Sequence, residues 1–341
     1  MSGVHCKRNL FPLLLHHSSK FRTFVILFIF PQLNMNDQHQ RAFFNDYSQP
    51  RIYMITLATV GRKPLLGSVI GNPRTPHGNK DAPKVKLTPI GWEVSRQIAH
   101  IKWAYPQIST PAWQLMPDHV HFIINVKEAL PIHLNSVIYN FINECNKHNS
   151  VINGPDQPPL FEYNYHDRIL SGKGQLQKMV DYIHDNPRRY LIRHLYQDYF
   201  TIRVINWEGE TLQTFGNLKL LYFQHKMPVR ISRRNNEDQI QQLAQQYLLL
   251  TQQGTILVSP FVSPGEKLVK EKALETGAPV IIILDNGIPP LFKPSGLLFE
   301  QCALGKILLI TSFEYSSSKI TPTKQRFEQM NMLAIKLCKP I

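Results

Sequence analysis

Two hydrophobic periods alternate along this chain, and their changeovers outline its elements. Residues 52–59 are almost entirely β-branched, aromatic or aliphatic, the composition of a buried strand. Thr88 and Pro89 then supply an N-cap and a proline at the first helical position. Ile90, Val94, Ile98 and Ile101 follow at helical spacing, predicting an amphipathic helix to about Trp103. Residues 111–115 and 119–126 read as short strands joined by a Pro-Asp turn, and 134–147 as a helix with Val137, Phe141, Ile142 and Cys145 on one face. Residues 160–170 read as a further strand and 174–185 as a helix whose buried stripe is Leu176, Met179, Val180 and Ile183, with Pro187 as its stop. Residues 61–87, rich in Gly, Pro, Lys and Arg, read as a loop or irregular hairpin. The order β-α-β-β-α-β-α predicts an α+β, ferredoxin-like sandwich with the 119–126 strand at its centre. Helices should cover one face, and the third helix should lie on the other, more open one.

The second half is patterned differently. Residues 200–235 are strand-rich and basic, ending in Arg230, Arg233 and Arg234, and a Gln-rich helix follows until Gly254. Strand and helix patterns then alternate, and Ser263 with Glu266 forms a capping box that opens one of the helices. The continuous apolar runs 280–284 and 307–311 are those of parallel strands covered on both faces. The last helix should run from about Pro322 to Leu337. This predicts a doubly wound, Rossmann-like α/β unit. The division expected is an N-terminal extension over 1–34 without stable structure, a first domain over 50–195, and a second over 200–341 that includes a basic linker. The apolar run 24–30 falls far short of the roughly 20 residues that span a bilayer, and no small-residue cleavage site follows it. Met35 is the alternative start.

Charge narrows the choice of partner. Against 24 acidic residues stand 38 lysines and arginines, a formal net charge of +14 in 341 residues. No basic amphipathic helix accompanies that excess, so a nucleic acid is a better match than a membrane surface. The 4 cysteines are scattered without a C-x-x-C pair, which fits a reducing cytoplasm.

The candidate chemistry begins at His119 and His121. Side chains alternate across a strand, so these imidazoles share a face while Val120 points to the core. Two neutral imidazoles can supply part of a divalent-metal site, although backbone-satisfied histidines at a core edge look the same in sequence. A histidine-triad hydrolase would need a third histidine at 123, where the chain has Ile123. Downstream, Tyr182 and Asn186 lie one helical turn apart on the flank of their helix. His184 faces away from them, and His166 could serve the site or simply the strand.

Residues 116–121 (MPDHVH), 164–168 (NYHDR) and 182–187 (YIHDNP), in this order, resemble the REP-associated tyrosine transposases of the single-tyrosine HUH superfamily. The resemblance spans about residues 50–195. It implies that His119 and His121 bind Mg²⁺ or Mn²⁺, that Tyr182 is the nucleophile, and that Asn186 is the third ligand, a position where other branches carry glutamine. It implies a transposase that cleaves and rejoins single-stranded or hairpin DNA through a 5′-phosphotyrosine, located in the bacterial cytoplasm at the nucleoid, and it admits a homodimer. Arg168, Arg188, Arg189, Arg193, Arg230, Arg233 and Arg234 are the candidate DNA contacts. Two alternatives stay open: a catalytically inactive hairpin-binding protein, and a replication- or plasmid-type HUH nickase. The latter often carries paired tyrosines, and Tyr182 has no second tyrosine three or four residues away. Residues 255–266 and 279–287 resemble, more loosely, the Rossmann-like domain of DNA-processing proteins of the DprA type, without a G-x-G-x-x-G. Every candidate catalytic group lies in 50–195, so the second half is expected to be an accessory. The helix starting after Ser263 could receive an anion on its amides, but its capping box accounts for the same residues.

Overall fold

In the computed structural model, residues 45–75, 78–318, 320–321 and 323–339 are described. The N-terminal extension, its apolar run and Met35 lie outside them.

The first sheet follows directly from strand alternation. Strand β1 (Arg51–Ala58) leads through a turn to a small hairpin, β2 (Gly67–Ile70) and β3 (Lys84–Leu87), and then to helix α1 (Pro89–Ala104). Thr88 caps α1 by accepting from the Gly91 amide, with Pro89 at the first turn as the sequence requires. Short strands β4 (Ile108–Ser109) and β5 (Trp113–Met116) precede β6 (His119–Val126), helix α2 (Leu134–Asn153), β7 (His166–Ile169) and helix α3 (Gln175–Leu195). The sheet order is β4-β6-β1-β7, with β5 also on β6, and every pairing is antiparallel. This is the ferredoxin-like arrangement, with β6 and β1 central.

The two faces of β6 divide the chemistry. Val120, Phe122, Ile124 and Val126 enter a core with Ile90, Val94 and Ile98 of α1 and Val137, Ile138, Phe141 and Ile142 of α2. Ile123, on the same face as His119 and His121, meets Met54, Ala112, Leu170 and Ile183 in a smaller cluster. Leu176, Met179, Val180 and Tyr182 pack at its margin, so α3 lies across the second face on the predicted stripe.

Two elements depart from the sequence reading. The strand expected over 160–170 is interrupted: His166–Ile169 forms β7, and Phe161 makes an isolated antiparallel bridge to Thr59 just past β1. The side chain of Asn146 on α2 accepts hydrogen bonds from the Leu160 and Phe161 amides at 2.8 and 3.2 Å, while the Leu160 carbonyl accepts from the Val60 amide and the Glu162 amide donates to the Ala58 carbonyl at the end of β1. Helix α3 does not stop at Pro187 but continues to Leu195 with the proline inside it. Proline removes one helical hydrogen bond and is disfavoured there, so contacts beyond it must hold the last turns.

The second sheet has its own cores. Hairpin β8 (Ile202–Trp207) and β9 (Glu210–Gly216) is followed by β10 (Lys226–Pro228), α4 (Glu237–Gln252), β11 (Ile256–Ser259), α5 (Pro264–Thr276), β12 (Val280–Ile283), α6 (Gly296–Ala303), β13 (Ile307–Thr311) and α7 (Lys324–Leu337). The order is β10-β11-β12-β13-β9-β8, parallel from β10 to β13 and antiparallel through the hairpin. Consecutive parallel strands joined by right-handed crossovers put their connecting helices on one face. Residues of α4, α5 and α6 accordingly share one core, and α7 with Met330, Leu333, Ala334 and Leu337 covers the other face. The expected double winding is therefore replaced by a single winding direction, with one helix returning beneath the sheet. Residues 46–341 form one compact unit that includes both sheets.

Candidate active site

Antiparallel pairing places Ala58 opposite His119 and Thr56 opposite His121 on β1 and β6. Directly opposed residues share a face, so Thr56 stands beside His121. Its Oγ1 lies 2.8 Å from His121 Nδ1. His119 is held from its own strand's turn, its Nδ1 donating to Asp118 Oδ1 at 2.7 Å. Asp118 is also paired with Arg62 at 3.6 Å. The hydrogen bond from His119 holds the Asp118 carboxyl below the usual range, assisted by the charges of His119 and Arg62. Burial, followed by the charges of His119, Lys293 and Arg62, pushes the His121 imidazole down to about 3. His121 is thus neutral at any ordinary pH, the form a metal ligand needs.

The two rings meet edge to face with centroids 4.7 Å apart, and both Nδ1 atoms are engaged. Each ring therefore keeps Nε2 for another partner. Tyr182 on α3 is half-buried, with its ring centroid 6.1 Å from that of His121. Asn186, one turn further along, is 8% exposed, and its Nδ2 has no hydrogen-bond partner. Buried amides rarely go unsatisfied, and an unpartnered Nδ2 is a donor that calls for an acceptor. Among the described residues no group of three His, Cys, Asp or Glu side chains is placed to hold a metal. A metal here would need Asn186, or another neutral donor, to complete the imidazole pair.

The candidate DNA contacts separate into distinct settings. His166 and Arg168 are exposed and stand opposite Thr56 and Met54, on the same face as the histidines. Arg188 is engaged within the protein, with Nε bonded to Asp185 at 2.6 Å and the guanidinium also paired with Glu300 of α6. Those carboxylates raise its pKa further above the ordinary arginine value. Arg189 is buried, donating to the Pro294 carbonyl at 2.7 Å and stacking 3.7 Å from the Phe299 ring centroid. It also lies 5.6 Å from the Tyr182 centroid. Arg193 is half-buried, with its guanidinium 5.7 Å from the same phenylalanine ring. Arg230, Arg233 and Arg234 are exposed in the loop that follows β10. His184 is exposed on α3.

Three participants were not singled out from sequence. Asp118 was readable in principle because it directly precedes His119. Thr56 becomes visible only with the β1–β6 register. Lys293, in the loop between β12 and α6, lies within electrostatic reach of His121 and Asp118 although it belongs to the second half. The anion place considered at α5 is already filled, since Glu266 accepts from the Val262 and Ser263 amides at 2.9 and 3.2 Å while Ser263 caps the helix.

No sequence family matches the chain, and no curated protein does. Among solved structures it has distant similarity to a REP-associated tyrosine transposase bound to a REP hairpin, with a TM-score of 0.29, 16% identity, and coverage of 44% of this chain and 74% of that one. DNA processing protein A from Helicobacter pylori, described for its single-stranded DNA binding mode, gives 0.31 and 19%, covering 41% and 67%. The corresponding protein from Streptococcus pneumoniae gives 0.32 and 18%, covering 49% and 60%. Each is a partial likeness in fold. Among the described residues no helix is long and apolar enough to cross a membrane. Cys145, Cys302 and Cys338 are free thiols.

Proposed function

We propose that the chain is a single-tyrosine DNA strand transferase, acting on single-stranded or hairpin DNA with Mg²⁺ or Mn²⁺. One observation carries the reading: His119 and His121 share a strand face with both Nδ1 atoms tied, and the Tyr182 ring lies 6.1 Å from His121. His119, His121 and the Asn186 amide oxygen are the groups that would hold the metal. Such an ion, when bound, polarises a phosphodiester as a Lewis acid.

The protein's own part is positioning. Asp118 and Thr56 fix the two imidazoles, and α3 presents the phenol beside them. In the step proposed, the Tyr182 oxygen forms a bond to phosphorus and the bond from phosphorus to the 3′ oxygen breaks. The phenol proton is balanced by the one gained at the departing oxygen, leaving a 5′-phosphotyrosine and a free 3′-hydroxyl. No redox change or nucleotide cofactor is needed, because the phosphotyrosine keeps the ester bond for transfer to another 3′-hydroxyl.

The test is covalent capture. Incubated with Mn²⁺ and hairpin-bearing single strands from the DNA flanking its gene, the full chain should give a protein–DNA adduct on a denaturing gel. Tyr182→Phe should give none, and His119→Ala should give none while still binding the hairpin through its lysines and arginines. An adduct surviving in Tyr182→Phe refutes the assigned nucleophile. Hairpin binding by wild type without any adduct would favour the inactive binding protein.

A further inference from the structure

We propose that Lys293 is a phosphate-binding residue of the Tyr182 site, delivered by the second half of the chain, so that this half completes the site. The proposal rests on the strand-transfer reading above and assigns a residue that the reading does not require.

The junction that delivers Lys293 is built, not incidental. Phe299 of α6 is fully buried, and the guanidinium carbons of Arg188, Arg189 and Arg193 lie 5.9, 3.7 and 5.7 Å from its ring centroid. All three arginines belong to the part of α3 beyond Pro187. Arg189 touches both sides: its ring distance to Tyr182 is 5.6 Å, and its Nη2 donates at 2.7 Å to the carbonyl of Pro294, the residue next to Lys293. The path from the tyrosine to Lys293 is therefore one side chain, one hydrogen bond and one peptide unit. Cation–π stacking and a buried charge-assisted hydrogen bond make such a path stiff.

Charge then says what the lysine faces. Its ammonium is within electrostatic reach of Arg193 on α3, Arg62 after β1 and Asp118 before β6. Three other segments of the chain thus reach this lysine with two cations and one carboxylate, and that carboxylate is already bonded to His119. Partial desolvation and then the like charges of Arg193 and Arg62 hold the Lys293 ammonium below its ordinary value. Lys293 makes no ion pair among the described residues. Cations gathered without matching carboxylates repel one another until an anion enters, and the anion that chemistry at Tyr182 requires is a phosphodiester. A backbone phosphate of a single strand lying between α3 and the 284–295 loop meets that need.

The experiment compares Lys293→Ala, Lys293→Arg and the charge-matched control Lys147→Ala with wild type, all as full chains. Lys147 is exposed on α2, across the first sheet from the site. Lys293 is itself exposed, so melting temperatures should agree and exclude misfolding. The probe is the hairpin-bearing strand from the flanking DNA, with binding measured over a salt series without metal and adduct formation measured in single turnover at saturating DNA with Mn²⁺. Lys293→Ala should reduce the single-turnover rate roughly tenfold to a hundredfold and the salt slope by about one counterion, with Lys293→Arg restoring most of both. Lys147→Ala should match wild type in rate. Adduct formation by wild type, with Lys293→Ala equal to it in rate and slope, overturns the proposal and leaves the strand-transfer reading intact. If wild type forms no adduct, that reading falls and the salt slope decides: a loss confined to Lys293→Ala upholds the phosphate contact, and an unchanged slope overturns it.

Discussion

Replacing Thr56 with valine should weaken Mn²⁺ binding without unfolding the protein. The hydroxyl lies 2.8 Å from His121 Nδ1, and valine keeps the shape while removing that partner. If His121 binds a metal through Nε2, its proton must sit on Nδ1, where the threonine oxygen accepts it. In Thr56→Val the metal-free ring can move its proton to Nε2 and escape the loss. The metal-bound ring cannot, so the unsatisfied N–H is charged to the bound state alone. A buried donor left without a partner costs about 1–3 kcal/mol, and at about 1.4 kcal/mol per tenfold this is roughly 5- to 140-fold in affinity. Thr56→Ser keeps the oxygen and should bind nearly as wild type.

Calorimetric titration of the full chain with Mn²⁺, with thermal melts of each variant, makes the measurement. The signature is a weakened Thr56→Val, a near-normal Thr56→Ser, and a His121→Ala with no specific binding. Wild-type affinity in Thr56→Val beside lost affinity in His121→Ala would refute the claim that Thr56 sets the proton. Unchanged binding in His121→Ala would refute the metal centre altogether.

Two further outcomes concern stability. Glu93 receives hydrogen bonds from Arg96 at 2.7 and 2.9 Å and from Gln97 at 2.6 Å, and the Arg96 bond first, with Gln97 and the His148 charge, lowers its carboxyl to about 2. A depressed folded-state pKa stabilises above the unfolded value and is lost as pH falls through the folded one. The urea midpoint gap between wild type and Glu93→Gln should therefore correspond to about 1 kcal/mol at neutral pH, after solvent screening, and shrink as pH falls toward about 2. A gap that is unchanged in acid would rule this out. Gly91 permits a close approach, since a Cβ there would stand 2.0 Å from the Leu66 carbonyl oxygen. Gly91→Ala should lose roughly 1–3 kcal/mol in urea melts despite alanine's better helix propensity, and a stabilised variant would show that the 63–67 segment yields freely.

The first sheet was legible because its signals are local. Alternation in β6 separated His119 and His121 from the core-facing Val120 and Phe122, and helical spacing assigned the stripe of α3. Other features depend on partners far away in sequence. The Thr56–His121 pair is set by strand register, and the Leu160 and Phe161 amides are held by Asn146, a side chain on another element. Winding direction in the second half is not legible in the sequence because alternating strand and helix patterns carry no record of strand order. That order, β10 to β13 in sequence, is what places α4, α5 and α6 together.

Pro187 shows the same limit and explains more. Local rules end a helix near such a proline, at a cost of about 3 kcal/mol if it continues. Here the turns beyond it are anchored from outside: Arg189 on Phe299 and Pro294, Arg188 on Glu300, and Ile192, which is 6% exposed. The consequence reaches the candidate site. A helix ending at Asn186 would leave Tyr182 in its final turn, where hydrogen bonds fray and a side chain samples several positions. Continued to Leu195, the same helix holds Tyr182 in its interior, with turns on either side. On the proposed reading, in-line attack on phosphorus tolerates little misplacement of the attacking oxygen, so stiffness of this helix would bear directly on rate. The second half therefore steadies the tyrosine through α6, independently of what Lys293 does, and a division of the chain near residue 195 would cut through the support of its proposed nucleophile.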